Sequence, residues 1–185
     1  MPKAIERVQS PGHLAWLDLE MTGLDPVNDR ILEVAAIVTD WDFNEIGSFE
    51  AVVNQPDSIL DGMDEWCTTQ HAASGLTERV KNSRLAESEA EAQLVEFARE
   101  HCGEAEGTKI LLCGNSIHMD RRFLEQQWKQ FNDLLHYRML DVSAWKVVFE
   151  GKYKKRFTKP EEHRALADIR GSIEELKYYL GKVKV

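Results

Sequence analysis

Residues 13–20 have the pattern of a strand heading into a core, yet that strand ends in two acids, Asp18 and Glu20. Side chains i and i+2 point to the same face of a strand, so the two carboxylates project together, a few ångströms apart. ILEVAAIVTD (31–40) predicts a second strand rich in β-branched residues, and a third is expected around Phe49–Val53. TGLDP and DFNEIG supply turn chemistry between the three. Three consecutive strands on short links form an antiparallel meander.

The period then changes. Residues 63–73 and 86–102 are helical in pattern, and Leu94, Val95, Ala98 and Cys102 form one apolar stripe of the second segment. KILLCGN (109–115) is a short buried strand, and DRRFLEQQWKQF (120–131) a helix with Phe123, Leu124, Trp128 and Phe131 inward. RMLDVS (138–143) is a further short strand. In the last helix, 163–180, Leu166, Ile169, Ile173, Leu176 and Leu180 recur at helical spacing. The order βββ-α-α-β-α-β-α predicts an α/β domain, a mixed sheet flanked by helices. Without repeats or a Gly/Ser linker, residues 1–185 fit one domain.

Bulk properties narrow the function. The longest unbroken apolar run, Val34–Val38, is too short to span a bilayer, and the amino terminus has no apolar signal core. Cys67, Cys102 and Cys113 are odd in number and widely spread, which suits a reducing cytoplasm better than a disulfide framework. A net charge of −9 argues against a wide basic groove that neutralises many phosphates. A polyanionic substrate would therefore be short, or held through metal ions.

Each acid has a plain alternative. Asp18 and Glu20 could simply be solvated at a strand end, but like charges side by side are costly, and a shared divalent cation removes that cost. Asp120 follows CGNSIHM and could be a helix-start acid favoured by the macrodipole. Asp168 lies five residues after His163, a turn of about 500° on one straight helix, so the two would not share a face. To act together, they need His163 at the helix start or on the preceding loop. TKPE, Thr158–Glu161, matches a capping box that would begin the helix slightly earlier, which leaves the histidine's setting open.

Asp18-x-Glu20, Asp120 and His163-x4-Asp168, in this order, resemble the DEDD-type 3′–5′ exonucleases of the histidine-using branch. DLEMTGLDP, HAASGL, CGNSIHMDRRFL, HYRMLDVS and ADIRGSIEELKYY are similar to the oligoribonucleases, which finish RNA decay by cutting very short oligonucleotides. The similarity covers roughly residues 13–180. It implies a ribonuclease H-like fold, in agreement with the element order.

The resemblance also implies a site. Two ions, Mg²⁺ or Mn²⁺, would be held by Asp18, Glu20, Asp120 and Asp168, roughly 3.5–4 Å apart, clamping the attacking and leaving oxygens of an in-line displacement. His163, with an unperturbed pKa of about 6.5, would accept the proton of the attacking water. Leu24 would wedge between two bases, Trp66 and His71 would line the pocket, and Ser116 would bond the terminal phosphate. Tyr137 and Arg138 would reach the neighbouring protomer's site in a twofold homodimer. Taken without the resemblance, Leu24 is a turn residue completing the core, Trp66 a core tryptophan, and Tyr137 and Arg138 surface groups.

Two features depart from the family's pattern. His118 stands between Ser116 and Asp120, where a smaller residue is expected. The basic run of EGKYKKRF (150–157) is expected to be a solvated loop rather than a phosphate clamp. The reading is a cytoplasmic, metal-dependent 3′–5′ exoribonuclease that degrades very short RNA to mononucleotides. A DEDD relative acting on longer RNA or DNA ends is the nearest rival. A nucleotide-binding module without catalysis is another, but its usual signature, a missing acid or histidine, is not found.

Overall fold

The computed structural model describes residues 12–103, 109–158 and 165–183. β1 (Leu14–Met21), β2 (Ile31–Thr39) and β3 (Glu45–Val52) form the expected antiparallel meander. After α1 (Asp57–Leu60), α2 (Glu65–Ala73), α3 (Leu76–Asn82) and α4 (Glu87–Cys102) the chain returns as β4 (Ile110–Gly114), parallel to β1. Next come α5 (His118–Gln127), α6 (Lys129–Asn132), β5 (Leu135–Asp141), α7 (Val142–Tyr153) and α8 (Ala165–Leu180). The sheet order is β3-β2-β1-β4-β5, with β5 parallel to β4. This is the mixed five-stranded sheet with flanking helices that the pattern predicts.

Alternation along β1 assigns its two faces. Ala15, Leu17 and Leu19 pack with Leu94 of α4 and Phe123 of α5. Leu14 and Trp16 pack with Ile169, Ile173 and Tyr179 of α8 and Phe149 of α7. Each such large side chain contributes about 1.5–3 kcal/mol by leaving water. The buried Trp16 indole keeps a partner, donating to Thr39 Oγ1 at 3.0 Å. β2, buried along its whole length, still holds one acid, Glu33, whose carboxylate lies 2.7 Å from Arg79 of α3. Burial first, and then Glu50 beside it, push the Glu33 carboxyl up to about 7.

Several elements differ from expectation. The helix expected over 120–131 is two, because the chain breaks at Trp128 (φ −117°, ψ 64°). The break buries the indole fully and lets the buried Glu91 carboxylate accept from Gln130 N (2.6 Å) and Phe131 N (3.1 Å). α7 occupies the end of the stretch expected as a strand and half of the one expected as a loop. Asp141 caps it by accepting from Ser143 N, and Glu150–Tyr153 form its last turn. Beyond it, residues 154–156 are exposed while Phe157 packs on Tyr178. β3 and β5 begin earlier than expected, and Leu180 faces outward at 38% exposure.

β4 pairs with β1 only from Leu14 to Trp16, so the carboxyl half of β1 outruns its neighbour. The parting is tight, since a side chain on Gly114 would meet Leu17 O at 2.9 Å. A crevice opens at the carboxyl ends of the parallel strands, where α/β sheets place ligands.

Candidate active site

Asp18 and Glu20 continue the face of Leu14 and Trp16 into this crevice, toward the α8 side of the sheet. Where β4 has ended, Leu19 N–H would lack a strand partner; it donates instead to Asp120 Oδ1 at 3.0 Å. Asp120 is in the first turn of α5, so one hydrogen bond fixes the start of that helix to the backbone between the two β1 acids. Burial pushes the Asp120 carboxyl up to about 7, against the backbone donors, and the nearby charges of Glu20 and Asp141 add to the rise. It is 7% exposed.

Asp168 lies in the first turn of α8 on the stripe of Ala165, Ile169 and Ser172, the face packed on β1 and β2. The helix is tied to the end of β4 by Glu175, which accepts from Asn115 Nδ2 at 3.0 Å and from Tyr179 Oη at 2.8 Å. His163 and most of the TKPE segment lie outside the described residues. Among the described residues, no three His, Cys, Asp or Glu side chains are already drawn to one point as a closed metal cage. The donor chemistry nevertheless fits a hard divalent cation. Asp18, Glu20, Asp120 and Asp168 offer only carboxylate oxygens, and the crowded, buried Asp120 is the kind of carboxylate that such a cation relieves.

Beside Glu20 lies a cavity of about 540 Å³ walled by Met21, Leu24, Trp66, Cys67 and His71. Leu24 is 69% exposed and Trp66 68%, so neither fills a core, and the bland alternatives for both fall. His71 is the opposite. It is buried, with Nε2 2.9 Å from Met21 O, so that nitrogen carries the hydrogen, while Nδ1 stands 4.0 Å from Glu20 Oε2. α2, begun by Asp64 accepting from Cys67 N at 2.7 Å, sets Trp66 and His71 on this wall.

Ser116 lies just past β4 with φ 49°, a left-handed backbone that a serine holds only when its surroundings impose it. The imposing groups are Asp141 Oδ1 (3.0 Å) and Ser143 Oγ (2.9 Å), both accepting from Ser116 N, with the two hydroxyls 3.1 Å apart. Asp141 and Ser143 were not singled out by sequence reasoning. Their signal was present in HYRMLDVS, where Asp-Val-Ser is a helix start. His118 Nδ1 is 3.6 Å from the same aspartate's Oδ2. Tyr137 and Arg138 are not in the cavity wall. They lie on the edge strand β5, with Tyr137 74% exposed and Arg138 over its ring at 5.4 Å.

Residues 15–176 match the exonuclease family model RNase T. The chain is 46% identical over 174 residues to the oligoribonuclease of Thiobacillus denitrificans, covering 92% of this chain and 94% of that one. The chain belongs to the oligoribonuclease family. A second oligoribonuclease, from Chromobacterium violaceum, is 47% identical over 175 residues, with 92% and 95% covered. In fold, this chain is similar to Exonuclease I of Methylocaldum szegediense, with a TM-score of 0.70 at 18% identity. It covers 92% of itself and spans 41% of the length of that larger chain. A zinc-bound Exonuclease I–ssDNA complex from E. coli gives 0.66 at 17% identity, covering 91% of this chain and 40% of that one. Metal dependence is general in this exonuclease family.

Proposed function

We propose that the chain is a cytoplasmic, single-domain 3′–5′ exoribonuclease that degrades very short RNA, dinucleotides included, to mononucleotides. The observation that carries this is the end of β1, where the Leu19 N–H···Asp120 bond gathers carboxylates against a cavity walled by the exposed Leu24 and Trp66. Asp18, Glu20, Asp120 and Asp168 are the residues that would hold two divalent ions, Mg²⁺ or Mn²⁺. When bound, such a pair polarises the scissile phosphate and stabilises charge on the attacking and leaving oxygens. The chain's own groups do the rest. Leu24 inserts between the two bases, Trp66 offers a stacking face, and His71, pinned to Met21 O, completes the wall. Ser116, pre-set by Asp141 and Ser143, presents its hydroxyl to the terminal phosphate. Water attacks phosphorus and gives its proton to His163, and the bond to the leaving 3′ oxygen breaks, that oxygen taking a proton from solvent to become the hydroxyl of the shortened product.

The same reading makes the protein a twofold homodimer. β5 is an edge strand bearing Tyr137, and Met139, Val147 and Val148 are also exposed. A partner laid along the β5 edge buries Tyr137 and Met139 and brings Tyr137 and Arg138 to the neighbouring site. A cytoplasmic setting accords with the free thiols of Cys67, Cys102 and Cys113, which burial pushes up. No described helix is long and apolar enough to cross a membrane.

Cleavage of a labelled diribonucleotide, titrated with Mg²⁺ or Mn²⁺, tests the function. A module that only binds nucleotides would retain the substrate uncut. His163→Ala is expected to lower turnover by roughly 10²–10⁴-fold with metal affinity little changed, because the residue moves a proton and is not a ligand. A large loss of metal binding in this variant would make the histidine a ligand instead.

A further inference from the structure

We propose that Gln127 is a positioning residue that holds the Leu24 loop at the height the substrate needs. This rests on the reading of Leu24 as the wedge between bases. Gln127 is the last residue of α5, the helix that begins beside Asp120. Gln127 stands seven positions after Asp120, about 10 Å along the helix axis. At the start, Asp120 accepts from Leu19 N of β1; at the end, Gln127 Nε2 donates to Pro26 O (2.8 Å) and Asp29 O (2.7 Å). One rigid helix is thus bonded both to the strand that carries the acids and to the loop that carries Leu24.

The loop is already organised from within. Asp29 accepts from Thr22 Oγ1 (2.9 Å) and Asp25 N (2.8 Å), and Thr22 N closes onto Arg30 O (2.9 Å). Gly23 packs so closely here that a Cβ would meet Asp29 Oδ2 at 2.4 Å. Leu24 and Val27 at its tip are both exposed, and Pro26 between them is buried where Gln127 fastens the loop to α5. A wedge held in place before substrate arrives spares the ordering cost on binding. The strut therefore acts on substrate affinity rather than on chemistry.

The bonding also says which part of the amide matters. Gln127 Oε1 has no hydrogen-bond donor among the described residues, whereas both hydrogens on Nε2 are used. A donor-only side chain should replace it, and an acceptor of the same shape should not.

Steady-state kinetics of the full chain on a diribonucleotide tests this. Gln127→Met and Gln127→Glu are expected to raise KM about three- to tenfold, the scale of losing one or two such hydrogen bonds, with kcat nearly unchanged. Gln127→Lys should stay near the parent. Leu24→Ala should raise KM by itself, and Gln127→Met added to it should raise KM no further. If Leu24→Ala raises KM while Gln127→Met does not, the strut is overturned and the wedge stands. If Leu24→Ala leaves KM unchanged, the wedge reading falls and this proposal with it. Full additivity of the two substitutions, or an equal defect in Gln127→Lys, would reduce Gln127 to a structural contact.

Discussion

Asp120→Asn is expected to abolish turnover and, at the same time, to make the metal-free protein more stable above pH 7. The carboxyl is buried, and that burial, with Glu20 and Asp141 nearby, pushes it from an ordinary 3.8 up to about 7. The folded chain therefore holds this proton more tightly than the unfolded chain does. Stability is lost as pH climbs from about 4 to about 7, and above that the folded protein carries the full cost of a buried anion. Asparagine keeps an oxygen to accept from Leu19 N–H and carries no charge. Thermal melts in chelator should show a gain of several degrees at pH 8 and little change at pH 4. Equal shifts at both pH values would mean that packing, not charge, was altered. Asp18→Ala and Asp168→Ala should likewise lose essentially all activity while staying folded. Substantial turnover by either in magnesium would contradict their assignment as ligands.

Mixing inactive Asp18→Ala chains with Tyr137→Ala chains should restore activity. Asp18→Ala chains lack a metal ligand but have Tyr137, and Tyr137→Ala chains have the acids but lack the tyrosine. In a twofold dimer each chain makes the same contact reciprocally. A hybrid therefore contains one site with intact acids facing an intact partner tyrosine. Within one chain, Tyr137 lies on β5 outside the wall of the Leu24–Trp66 cavity. Recovery toward half of the parental rate per hybrid is the expected result once subunits exchange. Confirmed exchange without recovery, or an active monomer, would overturn the shared site.

The fold was legible where side-chain period is simple. β1 alternates, β2 is apolar but for Glu33 and Thr39, and α4 and α8 carry clear stripes; all four lie where the pattern puts them. α7 was not legible because its exposed Val147 and Val148 break the helical period that Val142 and Phe149 would have shown. The break at Trp128 was hidden for another reason. Its determinant, Glu91, is a tertiary partner 40 residues from Phe131 and leaves no local signal. In the site, the pairing of Asp18 with Glu20 follows from strand period alone, but the docking of Asp120 between them does not. It depends on β1 outrunning β4, which is a property of sheet register. The same holds for Ser116, whose left-handed backbone is imposed by Asp141 and Ser143 from the next strand-helix junction.

The proposed function requires a site built for the shortest RNA. Rates measured on 5′-labelled RNA from two to ten nucleotides, with purified protein in Mg²⁺ or Mn²⁺, test it most directly. The highest kcat/KM is expected at two nucleotides, with a steep fall for each nucleotide added, if Leu24 and a second chain's copies of Tyr137 and Arg138 close the pocket as proposed. A rate that rises with length, or a preference for DNA ends over diribonucleotide, would contradict it.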